Sequence, residues 1–156
     1  MKRRHLLHLL AGVSAASLLA ACGRRKPSTA ALKSGAHVLA LGDSLTFGYG
    51  APPEASWPVK LGELTGWQVE NAGVNGDTSE GALQRLPGLL SAQSYDAILI
   101  GIGGNDMLRG VSASATRDNL VELITQARAH TPYVAVLATP APDAMRAAVG
   151  SLSDAP

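Results

Sequence analysis

The sequence predicts an α/β fold in which a parallel sheet is joined by helical crossovers. Three observations lead there. Four apolar runs of strand length alternate with three segments whose apolar residues recur at helical spacing. Three of those runs end in turns built from Gly, Asp, Asn and Ser. The 156 residues, 46% hydrophobic and 16% charged, suit one globular domain. Strand–helix alternation implies parallel strands with right-handed connections, so the strands end at one edge of the sheet, where sites are built in open α/β folds.

In order, the chain opens with a segment that reads as targeting rather than fold. Lys2, Arg3 and Arg4 form a basic start, and residues 6–21 are apolar or small, interrupted only by His8 and without an acidic residue. That run is too short and too rich in Ala and Ser for a membrane span. It ends in Leu19-Ala20-Ala21-Cys22-Gly23, which resembles the lipobox of bacterial lipoprotein precursors. The resemblance implies a lipoprotein-type signal peptide over residues 1–21 and lipidation of Cys22. It also implies export to the cell envelope or periplasm with a membrane anchor. Arg3-Arg4 permits a twin-arginine export route as well. Cys22 is the only cysteine, so no intramolecular disulfide is possible.

Residues 22–36, with Pro27, Ser28, Arg24, Arg25, Lys26 and Lys33, read as a flexible tether, and the fold begins at residue 37. From His37 onward 6 basic residues stand against 12 acidic ones. An acidic body argues against nucleic acid as a partner. The basic tether suits either an anionic membrane surface or plain solvation.

The first strand is His37–Leu41, a buried run that stops at Gly42. Gly48, Gly50, Pro52 and Pro53 mark a loop. Trp57–Leu64 reads as a short helix with Ser56 as N-cap, Pro58 in the first turn and Gly66 at the end. Trp67–Asn71 alternates as a second strand. Thr78 or Ser79 caps the next helix, where Leu83, Leu86, Leu89 and Leu90 recur at helical spacing and Pro87 is expected to kink or interrupt it. Ala97–Ile102 is apolar enough to be a central strand and ends in the turn Gly103-Gly104-Asn105-Asp106. A long helix runs from about Ala115 to His130 and is stopped by Thr131-Pro132. Tyr133–Thr139 is the fourth strand. After Pro142 the pattern fades.

The strand-end turns carry the chemistry. Gly42-Asp43-Ser44-Leu45, Asn75-Gly76-Asp77 and Gly104-Asn105-Asp106 all fall at the C-terminal edge and can converge there. Ser44 alone is either a nucleophile or a helix N-cap, since Ser and Asp favour that position. A serine nucleophile needs preorganised donors where negative charge develops on a carbonyl oxygen. A glycine N–H and an asparagine amide supply such donors, although Gly76 and Asn105 taken singly are also ordinary turn residues.

Together, Gly42-Asp43-Ser44-Leu45, Gly76-Asp77-Thr78-Ser79 and Gly103-Gly104-Asn105-Asp106 resemble the GDSL or SGNH hydrolase family, in its arylesterase and periplasmic acyl-thioesterase/lysophospholipase branch. The likeness covers residues 37–140 with the motifs in the family's order. It implies a flavodoxin-like three-layer α/β/α sandwich with a parallel sheet, incomplete here at the C-terminus. It implies that Ser44 is the nucleophile and that its own N–H, the Gly76 N–H and the Asn105 side-chain amide form the oxyanion hole. No metal or organic cofactor is implied, and the partner is a small acyl-ester substrate. Asp43 and Asp106 are read as supporting the loops, and Arg109 as a solvated surface arginine or a contact for an anionic substrate group.

One part of the family's pattern has no counterpart. Serine hydrolysis needs a general base within hydrogen-bond reach of the hydroxyl. The family's base is the histidine of a D-x-x-H block near the C-terminus. Neither Asp143 nor Asp154 starts such a block. His5 and His8 fall in the leader; His37 lies a strand length of roughly 20 Å from Ser44; His130 ends a helix running back from the active edge. The expectation is a serine esterase or thioesterase whose turnover is impaired by the missing histidine. The competing reading is a non-catalytic acyl- or glycan-binding surface lipoprotein. A nucleotide-binding reading fails, because neither Gly42…Gly48 nor Gly101-x-Gly103-Gly104 has dinucleotide spacing.

Overall fold

The two most apolar runs of the chain become the two central strands. In the computed structural model, residues 32–138 are described; the leader, Cys22, most of the tether and everything from residue 139 on lie outside the described residues. Strands β1 (His37–Gly42), β2 (Gln68–Gly73), β3 (Ala97–Gly101) and β4 (Val134–Val136) form one parallel sheet in the order β2-β1-β3-β4. Around it lie α1 (Ser44–Phe47), α2 (Trp57–Thr65), α3 (Ser79–Ala92), α4 (Gly104–Leu108) and α5 (Ala113–His130). The α/β class and parallel sheet predicted from sequence are therefore present.

Strand order dictates the layers. The crossover through α2 moves from β1 outward to β2, while those through α3 and α5 move the other way, to β3 and then β4. Right-handed connections put α2 on one face of the sheet and α3 with α5 on the other. α3 and α5 pack against one another. Leu39 and Leu41 of β1 and Ile98 and Ile100 of β3 meet Leu86 and Leu123 from these helices, all fully buried. Each such side chain contributes roughly 1.5–3 kcal/mol by burial. The direction of strand addition reverses between β1 and β3, and a crevice opens at that switch point.

Local differences from the sequence reading have physical causes. Helix α3 continues through Pro87, which is exposed. The ring removes one hydrogen bond to the Leu83 carbonyl, on a side where water can replace it. Ser56 does occupy the N-cap of α2, but its hydroxyl donates back to the Pro53 carbonyl at 3.0 Å and caps nothing. Helix α5 starts at Ala113 because Ser112 is its cap, accepting from Ala115 N–H at 3.2 Å. Gly104-Asn105-Asp106 is the first turn of a short helix, α4, rather than a loop.

The edge opposite the strand ends is closed by polar contacts, and both described histidines belong to it. His37 Nδ1 pairs with Gln93 Nε2 at 2.9 Å, and His130 Nε2 accepts from Tyr95 N–H at 3.1 Å. The buried Tyr95 hydroxyl donates to Glu70 at 2.6 Å. Burial first, and the adjacent Glu70 carboxylate second, raise the Tyr95 phenol well above its ordinary value. The folded state thus holds the phenolic proton more tightly than the unfolded chain. Its stabilising effect is complete below about pH 10 and is lost as pH rises from there through the folded value. Denaturant titrations across this alkaline range should show unfolding free energy falling more steeply for the wild type than for Tyr95→Phe. Equal slopes would contradict the assignment.

Candidate active site

The site is set by where three strands stop. In the parallel register Gly73 of β2 and Gly101 of β3 both stand opposite Gly42 of β1, so three strands end level on glycine. The segments that follow carry Ser44, Gly76 and Asn105. Gly42 has no room for a side chain: a Cβ there would lie 2.6 Å from the Gly101 carbonyl oxygen. The close approach lets the Asp43 N–H donate across to that oxygen at 3.4 Å.

Ser44 is the first residue of α1, and the cap of that helix is Asp43. The Asp43 carboxylate accepts from Leu45 N–H at 2.9 Å and is buried. This settles which of the two polar residues does the capping. Ser44 is half-buried, and its hydroxyl has no hydrogen-bond partner among the described residues. The opposite end of α1 is tied to β2, because Asn71 donates to the Phe47 carbonyl at 3.3 Å.

Gly76 sits in the turn after β2 with φ +76°, a left-handed conformation that favours glycine. Its carbonyl accepts from Arg109 at 2.7 Å. Asn105 donates from its amide to the Asp77 carbonyl at 2.8 Å. One amide hydrogen thus locks α4 to the Gly76 turn, and the second has no hydrogen-bond partner among the described residues. The structure joins the Gly76 and Asn105 segments directly and Ser44 to them through the strand ends.

One support, Arg85, was not evident from the sequence, and a second, Asp106, has partners the sequence did not name. Arg85 of α3 donates through Nε to the Asp77 carboxylate at 2.8 Å and through Nη2 to the Gly42 carbonyl at 3.0 Å. The available signal was its register: Arg85 follows Ala82 by three residues and precedes Leu89 by four, so a charge lies on the inward stripe of α3. The second support is buried. Asp106, 1% exposed, accepts from both the N–H and the hydroxyl of Ser79, and Asn119 donates to that hydroxyl at 3.0 Å. Asp43 and Asp106 thus both have positioning contacts. Arg109 is exposed and holds the Gly76 carbonyl. Among the described residues, no three His, Cys, Asp or Glu side chains gather closely enough to hold a metal ion.

Comparison with known proteins gives this edge a context. Residues 40–153 match the model of the GDSL-like lipase/acylhydrolase family. The chain is 40% identical over 96 residues to the thioesterase 1/protease 1/lysophospholipase L1 of Escherichia coli strain K12, an alignment covering 59% of this chain and 45% of that one. It is 39% identical over 102 residues to the arylesterase of Vibrio mimicus, covering 62% and 51%. The chain spans about half the length of these relatives. Among solved structures, AlinE4, an SGNH-hydrolase family esterase, superposes with a TM-score of 0.66 at 31% identity, covering 74% of this chain and 65% of that one. TesA superposes with a TM-score of 0.67 at 32% identity, covering 70% and 63%. Since a single family match runs through Ser44, Gly76 and Asn105 on the edge where the fold gathers them, the chain belongs to the GDSL-like lipase/acylhydrolase family.

Proposed function

We propose that this chain carries the nucleophile and oxyanion hole of a serine esterase or thioesterase acting on small carboxylic acyl esters. The observation that carries the proposal is the 2.8 Å bond from Asn105 to the Asp77 carbonyl beside Gly76. It fixes an uncharged amide donor next to a backbone N–H at the strand edge that presents Ser44. In the reaction, Ser44 Oγ attacks the acyl carbon and the carbonyl oxygen takes up negative charge. Donors from Ser44 N–H, Gly76 N–H and Asn105 receive that charge. The bond to the alcohol or thiol leaving group then breaks, and water releases the acyl group from Oγ. The proton leaving Oγ must pass through a base to the leaving group.

Among the described residues no such base stands at this edge: His37 and His130 are engaged at the far edge of the sheet, and the sequence carries no D-x-x-H block. The same observation favours a second reading, in which the chain binds acyl or glycan ligands at this edge without turnover. Hydrolysis of a short aryl ester and of an acyl thioester by the full chain, with imidazole in the buffer as the base, separates the two. On the first reading the rate exceeds background, and Ser44→Ala abolishes the excess. Asn105→Ala lowers kcat by about 10²–10³-fold, the usual loss on removing one oxyanion donor. A rate indifferent to both substitutions would refute the serine mechanism. Saturable ligand binding with no Ser44-dependent rate would favour the second reading.

We further propose that Cys22 is the lipidated residue of an exported protein, with residues 1–21 removed as its signal peptide. Leu19-Ala20-Ala21-Cys22 supports this. In cells fed radiolabelled palmitate, the wild-type protein should carry label and sediment with membranes. Cys22→Ser should be unlabelled; equal labelling of the two would overturn the assignment.

A further inference from the structure

We propose that Arg85 is a positioning residue that keeps the nucleophile strand and both oxyanion loops in one register. Its catalytic consequence rests on the serine-hydrolase reading, while its structural consequence rests on geometry alone. The guanidinium reaches two acceptors from different segments. Nε donates to the Asp77 carboxylate at 2.8 Å, and Nη2 donates to the Gly42 carbonyl at 3.0 Å. Gly42 lies two residues before Ser44, and Asp77 directly follows Gly76. The Asp77 carbonyl in turn accepts from Asn105 at 2.8 Å. The Ser44, Gly76 and Asn105 segments are thereby linked through two side chains, Arg85 and Asn105, that meet at Asp77.

The contact has the features of a locating device. The pair is partly shielded, with side-chain exposures of 25% for Arg85 and 10% for Asp77. The other Asp77 oxygen accepts from Thr78 N–H at 3.0 Å, so the carboxylate is held from both sides. A planar guanidinium addresses a carboxylate and a carbonyl at fixed angles, which a lysine ammonium on a flexible stem cannot do. Arg85 emerges from the middle of α3, whose neighbouring Ala82 and Leu86 are fully buried, so its base does not move with the loops. The Gly76 turn is otherwise held by the Asp77 N–H donating to the Val74 carbonyl at 3.1 Å and by Asn105. Its Arg109 contact comes from an exposed side chain.

The test uses the full chain with Arg85→Lys and Arg85→Ala. Two readouts are followed: hydrogen exchange by NMR of the Asp77 N–H, which donates to the Val74 carbonyl at 3.1 Å in the Gly76 turn, and of the Asn105 side-chain amide; and kcat and KM on a short aryl ester with imidazole as the base. We expect exchange at both groups to rise at least about tenfold while core amides such as Leu39 keep their protection. We expect kcat to fall about 10–100-fold with KM within about twofold, the range seen when supports of a reacting group are removed. Ethylguanidinium should restore part of the loss in Arg85→Ala but not in Arg85→Lys. Should the arginine variants not fold, Asp77→Asn, which removes the carboxylate but keeps the carbonyl to Asn105, is read in the same way. Wild-type exchange at Asp77 and Asn105 in a folded variant overturns the proposal. If Ser44→Ala leaves the wild-type rate unchanged, the hydrolase reading fails, and Arg85 is judged on exchange alone.

Discussion

Three parallel strands that stop level on glycine are the constraint from which the candidate site follows. With Gly73, Gly42 and Gly101 side by side, the segments after β2, β1 and β3 start from one line and have little freedom to diverge. The line holds because Gly42 has no side chain; a Cβ would press on the Gly101 carbonyl at 2.6 Å. Substitution there would force β1 and β3 apart at the very place where Ser44 leaves the sheet. The order of strands adds the second half of the constraint. Because the sheet grows outward in both directions from the β1–β3 pair, the crevice between these strands is left uncovered by crossover helices.

On that frame the site is assembled by a division of labour among polar side chains. Asp43 caps α1, so Ser44 is relieved of capping. Thr78 caps α3 by accepting from Gly81 N–H, which leaves the adjacent Ser79 to bind the buried Asp106. Asp77 and Asn105 join the second and third segments, while Arg85 joins the second to the first. Each buried carboxylate is satisfied, and among the described residues no buried side-chain polar atom lacks a partner. An unpaired group there would cost about 1–3 kcal/mol, so the network is also part of the fold's stability.

Much of this was legible in the chain itself, for identifiable reasons. β1 and β3 are continuous apolar runs, and a run of that kind in strand–helix alternation has few other places than the centre of a parallel sheet. Ser44 and Asn105 stood out because they lie in small polar turns directly after those runs, and Gly76 because it lies in such a turn after the alternating strand β2. Other features depend on long-range contacts that no local pattern encodes. Arg85 and its acceptor Gly42 are 43 residues apart, and Ser79 and Asp106 are 27 apart. Pro87 marked a break by local rules, yet α3 runs on because its buried face, Ala82 and Leu86, holds it from both sides of the ring. Ser56 shows the reverse: a residue type suited to capping found a nearer carbonyl at Pro53.

The central claim is that Ser44 is a nucleophile facing a preorganised oxyanion hole. Its most direct test is chemical labelling of the full chain with a fluorophosphonate, with imidazole in the buffer as the base, followed by peptide mass mapping. The phosphonyl group mimics the tetrahedral intermediate and stays on the attacking oxygen. The account predicts one adduct, on Ser44, forming much more slowly when Asn105 is replaced by alanine. An adduct on another serine, or labelling of Ser44 at the same rate without the Asn105 amide, would contradict it.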